Sequence, residues 1–422
     1  MTVYRAGTGQ GGGGPHSHLT VLDLSRVLAG PWCTQLLADL GATVIKIERP
    51  GGGDDTRAWG PPYLKDAAGH DTSEAAYYLS CNRGKLSVAV DFTTPEGRQI
   101  VQDLARQADV LVENYKVGGL EKYGLDYPSI AALNPRLVYA SITGFGQNGP
   151  YSDRAGYDFI IQGMSGFMSV TGERDDLPGG GPQKAGIAIS DLMTGMYATV
   201  AIQAALAHRD RTGQGQCVDA SLFDASVAMM SVMNLNYLVT GKAPGRAGNA
   251  HHNIVPYQVF ACADGHVILG VGNDGQFAKF CELAGKPEWS SDARFAKNAE
   301  RVGNRDILVP LIAAVMKTRT QHAWLDTLEP LGVPCGPINR LDQVFADPQL
   351  IARGLRMDLP HPLAGTVPQV GTPIKFSATQ PTYERPPPLL GEHTADVLRE
   401  RLAMSADAIA ALAARGVIQL GP

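Results

Sequence analysis

Asp191 is the residue whose position most strongly suggests covalent chemistry. It follows the apolar residues 185–190, which predict a strand, and a helix rich in small residues is expected to begin beside it. A carboxylate at such a junction can cap the helix, because the first backbone N–H groups of a helix have no partners within it. The same N–H groups favour an ionised carboxylate that attacks an electrophile. Position alone favours the cap, so the rest of the chain has to decide between the two interpretations.

The composition is that of a globular protein and argues against several classes of function. The chain has 422 residues, of which 44% are hydrophobic and 18% charged, so it is long enough for a large core. Its net charge of −5 and the absence of a sustained Lys/Arg cluster argue against a nucleic-acid partner. Because no apolar run reaches the length of a bilayer, no membrane partner is expected either.

The cysteines are scattered and suggest neither disulfides nor a metal site. No two of them form a C-x-x-C pair, and none has a histidine at ligand spacing. They predict reduced thiols and a cytoplasmic location. We therefore expect no metal and no permanently bound cofactor. The six are Cys33, Cys81, Cys217, Cys262, Cys281 and Cys335.

Strands and helices alternate through the first part of the chain. Strands are predicted at residues 19–24, 44–47, 86–90, 110–112 and 137–142, and helices at 31–40, 95–107, 223–239 and 396–412. Alternation at this spacing predicts the α/β class, with a parallel sheet in a doubly wound, Rossmann-like domain.

Composition divides the chain into four parts. Residues 1–17 are glycine-rich and predict a flexible tail, and residues 18–225 are assigned to the large Rossmann-like domain. A stretch rich in Gly, Pro, Asn and His follows, so residues 226–344 are assigned to a linker and a smaller α+β domain. Residues 345–422 are expected to return to the large domain.

A Rossmann-like domain raises the alternative of a nicotinamide-dependent oxidoreductase, with Glu48 as the acid that binds ribose. The turn after the first strand, residues 25–31, has one glycine where a pyrophosphate-binding turn needs three. The letters G-x-G-x-x-G at residues 7–12 precede the first strand instead of following it. These glycine patterns are compatible with the α/β fold class but argue against binding of a nicotinamide dinucleotide.

Several stretches, which follow one another along the chain in a single order, together resemble the class III CoA-transferases. Any one of them is weak evidence, but the series covers nearly everything after residue 18. The stretches are VLDLSRVLAGP (21–31), GATVIKIERP (41–50), DVLVENY (109–115), SITGFGQNGP (141–150), the Asp191 stretch (185–198), TGQGQ (212–216), VDASLFD (218–224), GVPCGPIN (332–339) and PLLGEHT (388–394).

The resemblance implies that Asp191 is the nucleophile, which reverses the preference for a cap. In that family the matching aspartate attacks an acyl-CoA thioester, and the released CoA thiolate converts the resulting anhydride into an aspartyl-CoA thioester. The acceptor acid then takes the CoA by the same steps in reverse. Covalent steps of this kind retain the thioester energy and keep water out of the reaction. Acyl-CoA and a small carboxylic acid are the implied substrates, and an interlocked homodimer is the implied assembly.

The resemblance also implies which residues bind CoA. Arg49 and Lys122 are suited to the anionic phosphates of its nucleotide. Without the motif context, each would be interpreted as a solvated surface cation. The implied set is Leu28, Ala29, Arg49, Val90, Asp91, Phe92, Thr93, Asn114, Tyr115, Lys116, Lys122, Arg154 and Tyr157.

Differences between this sequence and other branches of the family narrow the range of activities that we expect. The racemase branch has a histidine in the place of Tyr157, and its absence removes one of the two bases that α-proton exchange needs. Formyl-CoA transferase has a glutamine in the place of Leu28 and glycines in the place of residues 251–254, which argues against formyl or oxalate substrates. A 2-methylacyl-CoA racemase and a non-catalytic acyl-CoA-binding relative remain as alternatives.

Within the family, the chain is most similar to the succinate–hydroxymethylglutarate CoA-transferase branch, which is also described as using glutarate. The similarity lies in residues 51–62, 254–258 and 385–391. It implies succinyl-CoA as the donor and a dicarboxylic acid as the acceptor. The side chains expected to hold the second carboxylate are Arg57, Arg246, His251 and His252. The histidine pair is explained equally well as ordinary loop residues.

Overall fold

The computed structural model describes residues 13–422, and these residues divide into two units. The first unit runs to Phe167 and continues through Ala185–Asn234 and Gln349–Pro422. The second comprises Met168–Lys184 and Leu235–Pro348. It begins later than the predicted residue 226, and it takes in a segment before Asp191 that the sequence assigned to the large domain. The glycine-rich letters at residues 7–12 lie outside the described residues.

The helices and strands have the following bounds. The strands are β1 (Thr20–Asp23), β2 (Thr43–Glu48), β3 (Tyr63–Lys65), β4 (Asp71–Ala75), β5 (Lys85–Val90), β6 (Val110–Glu113), β7 (Val138–Thr143), β8 (Cys217–Ser221), β9 (Tyr257–Ala261), β10 (His266–Gly270), β11 (Cys335–Gly336), β12 (Arg356–His361), β13 (Gly365–Val370) and β14 (Ile418–Gln419). The helices are α1 (Ala29–Asp39), α2 (Ala76–Leu79), α3 (Pro95–Gln107), α4 (Tyr127–Leu133), α5 (Asp158–Met164), α6 (Phe167–Val170), α7 (Ile189–Thr212), α8 (Leu222–Met229), α9 (Val232–Thr240), α10 (Asp274–Leu283), α11 (Asn298–Gly303), α12 (Arg305–Met316), α13 (Gln321–Leu328), α14 (Leu341–Phe345), α15 (Pro348–Ala352), α16 (Thr394–Leu402) and α17 (Ala406–Ala414).

Seven strands form the central sheet of the first unit, in the order β14-β5-β2-β1-β6-β7-β8. Neighbouring strands pair in parallel except β14, which pairs antiparallel with β5 at one edge. Counted along the chain, the parallel strands follow the order 3-2-1-4-5-6 of a Rossmann fold. The predicted doubly wound α/β sheet is therefore confirmed. The edge strand β14 escaped prediction because two residues are too few to show a pattern.

The central strands supply a hydrophobic core on each face of the sheet. Leu22 and Ile45 pack on one face with α3, α16 and α17, whereas the adjacent Val21 and Val44 pack on the other face with α1 and α7. Successive side chains of a strand point to opposite faces. Because both faces are covered, these strands are predominantly apolar, which is why the sequence identified them.

The second unit has its own sheet and core. Strands β9, β10 and β11 pair antiparallel in the order β11-β10-β9. Its buried core includes Phe277, Phe280 and Trp324, contributed by α10 and α13. The Asp264-Gly265 turn between β9 and β10 is the hairpin connection that the alternation of apolar residues predicts.

Two helices predicted as continuous are each broken in two. Residues 223–239 form α8 and α9, which are bent by 77° across a break that contains Ser231, with a φ of 43°. Residues 396–412 fall on α16 and α17, which are separated at Ala403, with a φ of 52°. A left-handed backbone conformation at a non-glycine residue does not alter the hydrophobic periodicity, so the sequence pattern does not reveal such a break. Within residues 13–422, no single helix satisfies the length and hydropathy of a bilayer-crossing helix, and α8 and α9 satisfy them only as a bent pair.

Two further segments differ from their predictions. Residues 13–17, predicted as the end of a flexible tail, form a turn in which the His16 N–H donates to the Leu40 carbonyl at 2.8 Å. Residues 185–188 form no strand and lead irregularly into α7, which already contains residues 189 and 190. Alanine and glycine in this segment count as apolar but have little preference for strands, so the pattern there was misleading.

Buried ion pairs lie beneath the turn that joins β1 to α1. The Lys46 ammonium donates to Asp54 and to the Ser25 carbonyl, at 2.9 Å each. The Lys85 ammonium donates to Asp23 at 3.0 Å. All four charged side chains are fully shielded from solvent. Although burial by itself would raise it, Lys46 and the hydrogen bonds to Asp54 lower the pKa of that carboxyl to about 2, so the pair stays ionised at neutral pH.

We expect the Lys46→Met substitution to lower the free energy of unfolding by about 3–5 kcal/mol, because it leaves the buried carboxylate of Asp54 unpaired. The measurement is the shift of the urea unfolding midpoint. Arg106→Met is the matched control, since it breaks the exposed Arg106–Asp103 pair and should cost less than about 1 kcal/mol. Similar small losses in both variants would show that the buried pair does not support the fold.

Candidate active site

A cavity of about 560 Å³ lies at the carboxyl ends of the central strands in the first unit. The turn after β1, residues 26–29, forms one side, and the loop after β6, residues 114–119, forms another. Strands β1 and β6 are neighbours in the sheet, but α1 and α4, which follow them, pack on opposite faces. In an open parallel sheet, ligands bind in the crevice at such a reversal of strand order. The topology therefore marks this cavity as the candidate site.

Asp191 lies in the first turn of α7 and lines this cavity. One helical turn further on, Gly195 packs so closely on α1 that a Cβ atom there would lie 2.6 Å from the Ala29 carbonyl oxygen. Residues four apart lie on the same face of a helix. The close contact at Gly195 therefore brings the Asp191 carboxylate to the turn after β1.

Two side chains of α5, Asp158 and Gln162, hold the segment that leads into α7, and we call them the α5 clasp. Asp158 accepts hydrogen bonds from the Ser190 N–H at 2.8 Å and from the Gln162 amide at 2.6 Å. Gln162 in turn accepts one from the Ala185 N–H at 2.8 Å. The N-cap residue of α7 is Ala188, which has no side-chain acceptor. The clasp therefore supplies from another helix the cap that the local sequence lacks.

The environment of Asp191 makes its carboxyl group a weaker acid than usual. Burial, and then the negative charge of Asp158, raise the pKa of Asp191 to about 7. This corrects the expectation that the helix N-terminus keeps the group fully ionised. At neutral pH Asp191 is a mixture of acid and carboxylate, and only the carboxylate is nucleophilic.

The residues predicted to bind CoA line two adjoining cavities of the first unit. The cavity of Asp191 is lined by Leu28, Ala29, Phe92, Thr93, Asn114, Tyr115, Lys116, Lys122, Arg154 and Tyr157. Arg49, Val90 and Asp91 line a second cavity of about 200 Å³, and several residues line both. The fold thus brings the predicted set into one crevice, although contact with CoA itself remains a prediction.

Asn114 fixes the shape of the turn after β1. Its side chain accepts a hydrogen bond from the Arg26 N–H at 2.8 Å and donates one to the Arg26 carbonyl at 2.6 Å. The next residue, Val27, has a φ of 71°, which is rare for a β-branched residue. Its N–H donates to Asp54 at 3.2 Å. The turn is therefore held in an uncommon conformation from two sides, and Asn114 acts on the backbone in addition to lining the cavity.

Arg49, Lys122 and Arg154, three cations of the predicted CoA-binding set, retain exposed side chains. The side chain of Arg49 is 67% exposed, and its Nη2 atom lies 3.6 Å from Asp55. The Lys122 ammonium lies 4.8 Å from the ring centre of Tyr123, and the Arg154 guanidinium lies 4.5 Å from that of Tyr151. An aromatic face orients a cation while leaving its N–H donors available. All three are therefore suited to an anionic ligand.

Arg57 does not fit the predicted role of holding a substrate carboxylate. Its guanidinium makes two hydrogen bonds of 2.9 Å to Glu48. It also donates to the Tyr78 hydroxyl at 2.6 Å and to the Pro388 carbonyl at 3.0 Å. Because its donors are already used and its side chain is only 10% exposed, Arg57 has a structural role. Because the Glu48 carboxylate is paired with Arg57, it is not available to bind a ribose.

The other predicted carboxylate ligands lie in the second unit. Arg246 and His252 line a cavity of about 490 Å³ there. Arg246 is ion-paired with Asp175, and the Nε2 atom of His252 lies 2.8 Å from a backbone carbonyl oxygen. The ring of His251 packs on Tyr257, with 5.4 Å between ring centres. Each side chain already has a partner within the chain, so their role as substrate ligands remains a prediction.

Sequence reasoning missed some residues of the first-unit cavity. Arg26 and Leu222 line it, and both fall inside stretches that carried the family resemblance, so the motifs contained a usable signal. The α5 clasp had none, because its partners at residues 185 and 190 are distant in sequence. Among residues 13–422, no group of three or more His, Cys, Asp or Glu side chains is placed to hold a metal ion.

Comparison with known proteins agrees with this geometry. Residues 17–394 match CoA-transferase family III. The chain belongs to this family. It is 53% identical to the succinate–glutarate CoA-transferase of Agrobacterium fabrum, over 92% of this chain and 95% of that protein. It is 43% identical to the succinyl-CoA:glutarate CoA-transferase of Homo sapiens, over 96% of this chain and 90% of that protein.

A solved structure of the family has the same fold. The crystal structure of a CAIB/BAIF family protein from Brucella suis matches with a TM-score of 0.81 and 49% identity, over 92% of this chain and 100% of that one. The resemblance noted in the sequence is thereby confirmed, and the chain is an enzyme of the CoA-transferase type. The family therefore supplies the reaction class.

Replacing Asp158 with asparagine should lower the pKa of Asp191 in this CoA-transferase, because the amide keeps the size and the acceptor oxygen but removes the negative charge. The pH profile of kcat/KM for an acyl-CoA reports the ionisation of the free enzyme. Its rise, expected near pH 7 in the wild type, should move to lower pH in Asp158→Asn.

The matched control is Asp153→Asn, which removes an exposed carboxylate from the loop before α5 and should leave the profile in place. A profile that stays fixed in both variants would contradict the electrostatic role assigned to Asp158.

Proposed function

We propose that this CoA-transferase moves CoA from succinyl-CoA to a dicarboxylic acid such as glutarate or hydroxymethylglutarate, through an aspartyl-CoA thioester on Asp191. One observation carries the proposal: Asp191 lines the same cavity as the residues predicted to bind CoA. The choice of donor and acceptor is supported by the names of the relatives in Agrobacterium fabrum and Homo sapiens. The sequence motifs pointed to the same substrates.

The proposed reaction proceeds by four acyl transfers. The Asp191 carboxylate attacks the thioester carbonyl of succinyl-CoA, the C–S bond breaks, and CoA leaves as the thiolate. The thiolate attacks the aspartyl carbonyl of the mixed anhydride, releasing succinate and leaving Asp191 as a thioester of CoA. The carboxylate of the acceptor attacks this thioester and again expels the thiolate, which then attacks the acceptor's acyl carbon. The new acyl-CoA leaves, and the Asp191 carboxylate is regenerated.

The cations around the crevice support CoA as the ligand. Arg49, Lys122 and Arg154 line the two adjoining cavities and present accessible positive charge. The phosphates of a CoA nucleotide are the complementary groups, and an arginine binds them through paired N–H donors. We propose that these three residues bind the nucleotide and that the acyl end extends toward Asp191.

The geometry favours transfer over racemisation. Exchange of an α-proton needs two bases on opposite sides of the carbon. Of the described residues that line the Asp191 cavity, none is a histidine, and the position of the family's second base is occupied by Tyr157. A single carboxylate is sufficient for the transferase steps.

Exposed apolar side chains support the interlocked homodimer that the family implies. Met196, Tyr197 and Val200 of α7 are exposed, as are Leu238 and Val239 near the end of α9, where Val239 is 79% exposed. Clusters of this kind mark protein–protein contacts. We propose that a second copy of the chain covers them.

The state of the thiols supports a reducing compartment. All six cysteines are free, and several are buried. Burial, the largest influence, raises the pKa of Cys33 and of Cys281 to about 12, which keeps both thiols protonated and unreactive. We propose that the enzyme works in the cytoplasm.

We expect succinyl-CoA and hydroxylamine together to convert Asp191 of the wild type into a hydroxamate, because the activated aspartyl carbonyl is open to this nucleophile. Intact mass followed by peptide mapping identifies the adduct. Asp191→Asn should gain no adduct and should lose activity by about 1,000-fold or more. An adduct on another residue, or exchange of the α-proton of a 2-methylacyl-CoA without any adduct, would refute the proposal.

Thermal unfolding of Asp191→Asn tests whether its loss of activity comes from the missing carboxylate or from a loss of folding. Because folding raises the pKa of Asp191 from 3.8 to about 7, its ionisation destabilises the native state progressively over that pH interval. The melting temperature of Asp191→Asn relative to wild type should therefore rise with pH through the interval. If Asp191→Asn were less stable than wild type at every pH, a loss of folding would explain its loss of activity equally well.

We expect sedimentation equilibrium to give the mass of a dimer that does not dissociate on dilution to nanomolar concentrations, since interlocked chains cannot separate without unfolding. Val200→Asp and Val239→Asp place charge in the exposed apolar clusters and should reduce assembly. Asp210→Asn, at an exposed position of α7, should assemble normally. A wild-type monomer at micromolar concentration would rule out the proposed dimer.

A further inference from the structure

Glu113 is a buried carboxyl group beside the candidate site that the proposed reaction does not use. It ends β6, directly before the loop at residues 114–119 that borders the Asp191 cavity. Glu113 itself lines neither cavity of the crevice, and no charged side chain among the described residues shifts its pKa. Burying a carboxyl group without a cation is costly unless hydrogen bonds replace its lost hydration. The hydrogen-bond partners of Glu113 therefore indicate its role.

Three polar side chains stand side by side where the strands β6, β7 and β8 end. Glu113 of β6 is in register with Ser141 of β7, and Ser141 is in register with Asp219 of β8. Side chains that share a register position on parallel strands point to the same face of the sheet. We call these three residues the β6–β8 polar row.

Hydrogen bonds attach one loop to each end of the β6–β8 polar row. The Glu113 carboxylate accepts a hydrogen bond from the Tyr115 N–H at 2.7 Å and another from the Ser141 hydroxyl. Ser141 accepts one from the Gln147 side-chain amide at 2.7 Å, and Asp219 accepts one from the Gln147 backbone N–H at 2.9 Å. The row thus joins the loop after β6, which contains Tyr115, to the loop after β7, which contains Gln147.

Both of these loops form walls of the Asp191 cavity. In the loop after β6, residues 114–117 line the cavity, and in the loop after β7 Gly144 lines it. A Cβ atom on Gly144 would lie 2.6 Å from the Cα atom of Gly156. The loop after β7 therefore packs against residues 154–157, which line the cavity as well. Two separate walls of the crevice depend on contacts of the same polar row.

The hydrogen bonds of Glu113 favour its ionised form. Burial, the largest influence, raises the pKa of Glu113 to about 7, whereas the hydrogen bonds from Ser141 and from the Tyr115 N–H lower it. A carboxylate has two acceptor oxygens and can accept from both donors at once. A glutamine has one acceptor oxygen, so it can accept from only one of the two donors, and leucine can accept from neither.

We propose that Glu113 is a positioning residue for CoA binding, which ties the loops after β6 and β7 together and so fixes both walls of the crevice in advance. The inference rests on the proposed function, since CoA is the ligand proposed for that crevice. A site that is fixed in advance binds its ligand without the entropy loss of ordering mobile loops. Glu113 therefore acts on the affinity for CoA and succinyl-CoA, and not on the acyl transfers at Asp191.

Isothermal titration of the full-length enzyme with CoA tests the effect on affinity. Glu113→Leu removes both acceptor oxygens and should weaken CoA binding about 10-fold, the loss expected for a hydrogen bond to a charged group. Glu113→Gln keeps one acceptor oxygen and should bind CoA with an affinity between those of Glu113→Leu and wild type. The matched control is Glu400→Leu, at an exposed position of α16, which should bind CoA like wild type.

Steady-state kinetics distinguish positioning from a general loss of folding. Glu113→Leu should raise KM for succinyl-CoA about 10-fold, whereas kcat at saturating succinyl-CoA should stay within about 2-fold of wild type. A lower kcat with an unchanged KM, or unchanged binding of CoA, would overturn the assignment.

Hydrogen exchange of the free enzyme tests the connection between the two loops without any ligand. Glu113→Leu should speed amide exchange in both segments, residues 114–119 and residues 144–150, because the second is held through Ser141. Gln147→Leu leaves the Tyr115 hydrogen bond in place and should speed exchange in residues 144–150 alone. Faster exchange of Glu113→Leu in only one of the two segments would show that Glu113 does not join the loops.

The three measurements keep this inference separate from the proposed function. If wild type binds CoA and forms the Asp191 hydroxamate, but Glu113→Leu binds CoA equally well, only the role of Glu113 is rejected. If wild type neither binds CoA nor forms the adduct, the transferase proposal is rejected. Hydrogen exchange would then still decide whether Glu113 joins the two loops.

Discussion

The architecture of the candidate active site depends on charges buried beneath the turn between β1 and α1. Lys46 reaches both the Asp54 carboxylate and the Ser25 carbonyl, and Asp54 in turn accepts a hydrogen bond from Val27, whose backbone is left-handed. Buried ion pairs of this kind add little net stability compared with apolar side chains, but breaking one is costly. Their value here is therefore geometric. They hold one conformation of a turn on which both the cavity and the start of α1 rely.

Asp191, the proposed nucleophile, is positioned by contacts that are independent of the charges beneath this turn. The close approach at Gly195 sets the distance of α7 from α1, and the α5 clasp fixes the segment before the helix. The clasp has an electrostatic cost, because the carboxylate of Asp158 that caps the helix also opposes ionisation of Asp191. Rigidity and nucleophile acidity are thus linked through one side chain. Active sites commonly accept such a cost in return for a fixed geometry.

The sequence predicted the features that arise from local pattern. The central strands were found because burial on both faces makes them predominantly apolar, and Asp191 was found because the family motif contains it. The broken helices were missed, since a left-handed Ser231 or Ala403 leaves the hydrophobic period unchanged. The pairing of Arg57 was also missed: its carboxylate partner Glu48 lies only nine positions earlier, but only the folded chain turns the two side chains toward each other. Whether a cation is free or neutralised depends on tertiary contacts, and a single sequence does not record them.

The tight contact at Gly195 limits how this enzyme can change during evolution. Any side chain at that position meets the Ala29 carbonyl, and a backbone atom cannot move aside as a flexible side chain can. Substitutions of this glycine should therefore be disfavoured, although it does not line the candidate cavity. New acceptor specificities must arise elsewhere, in loops that tolerate substitution.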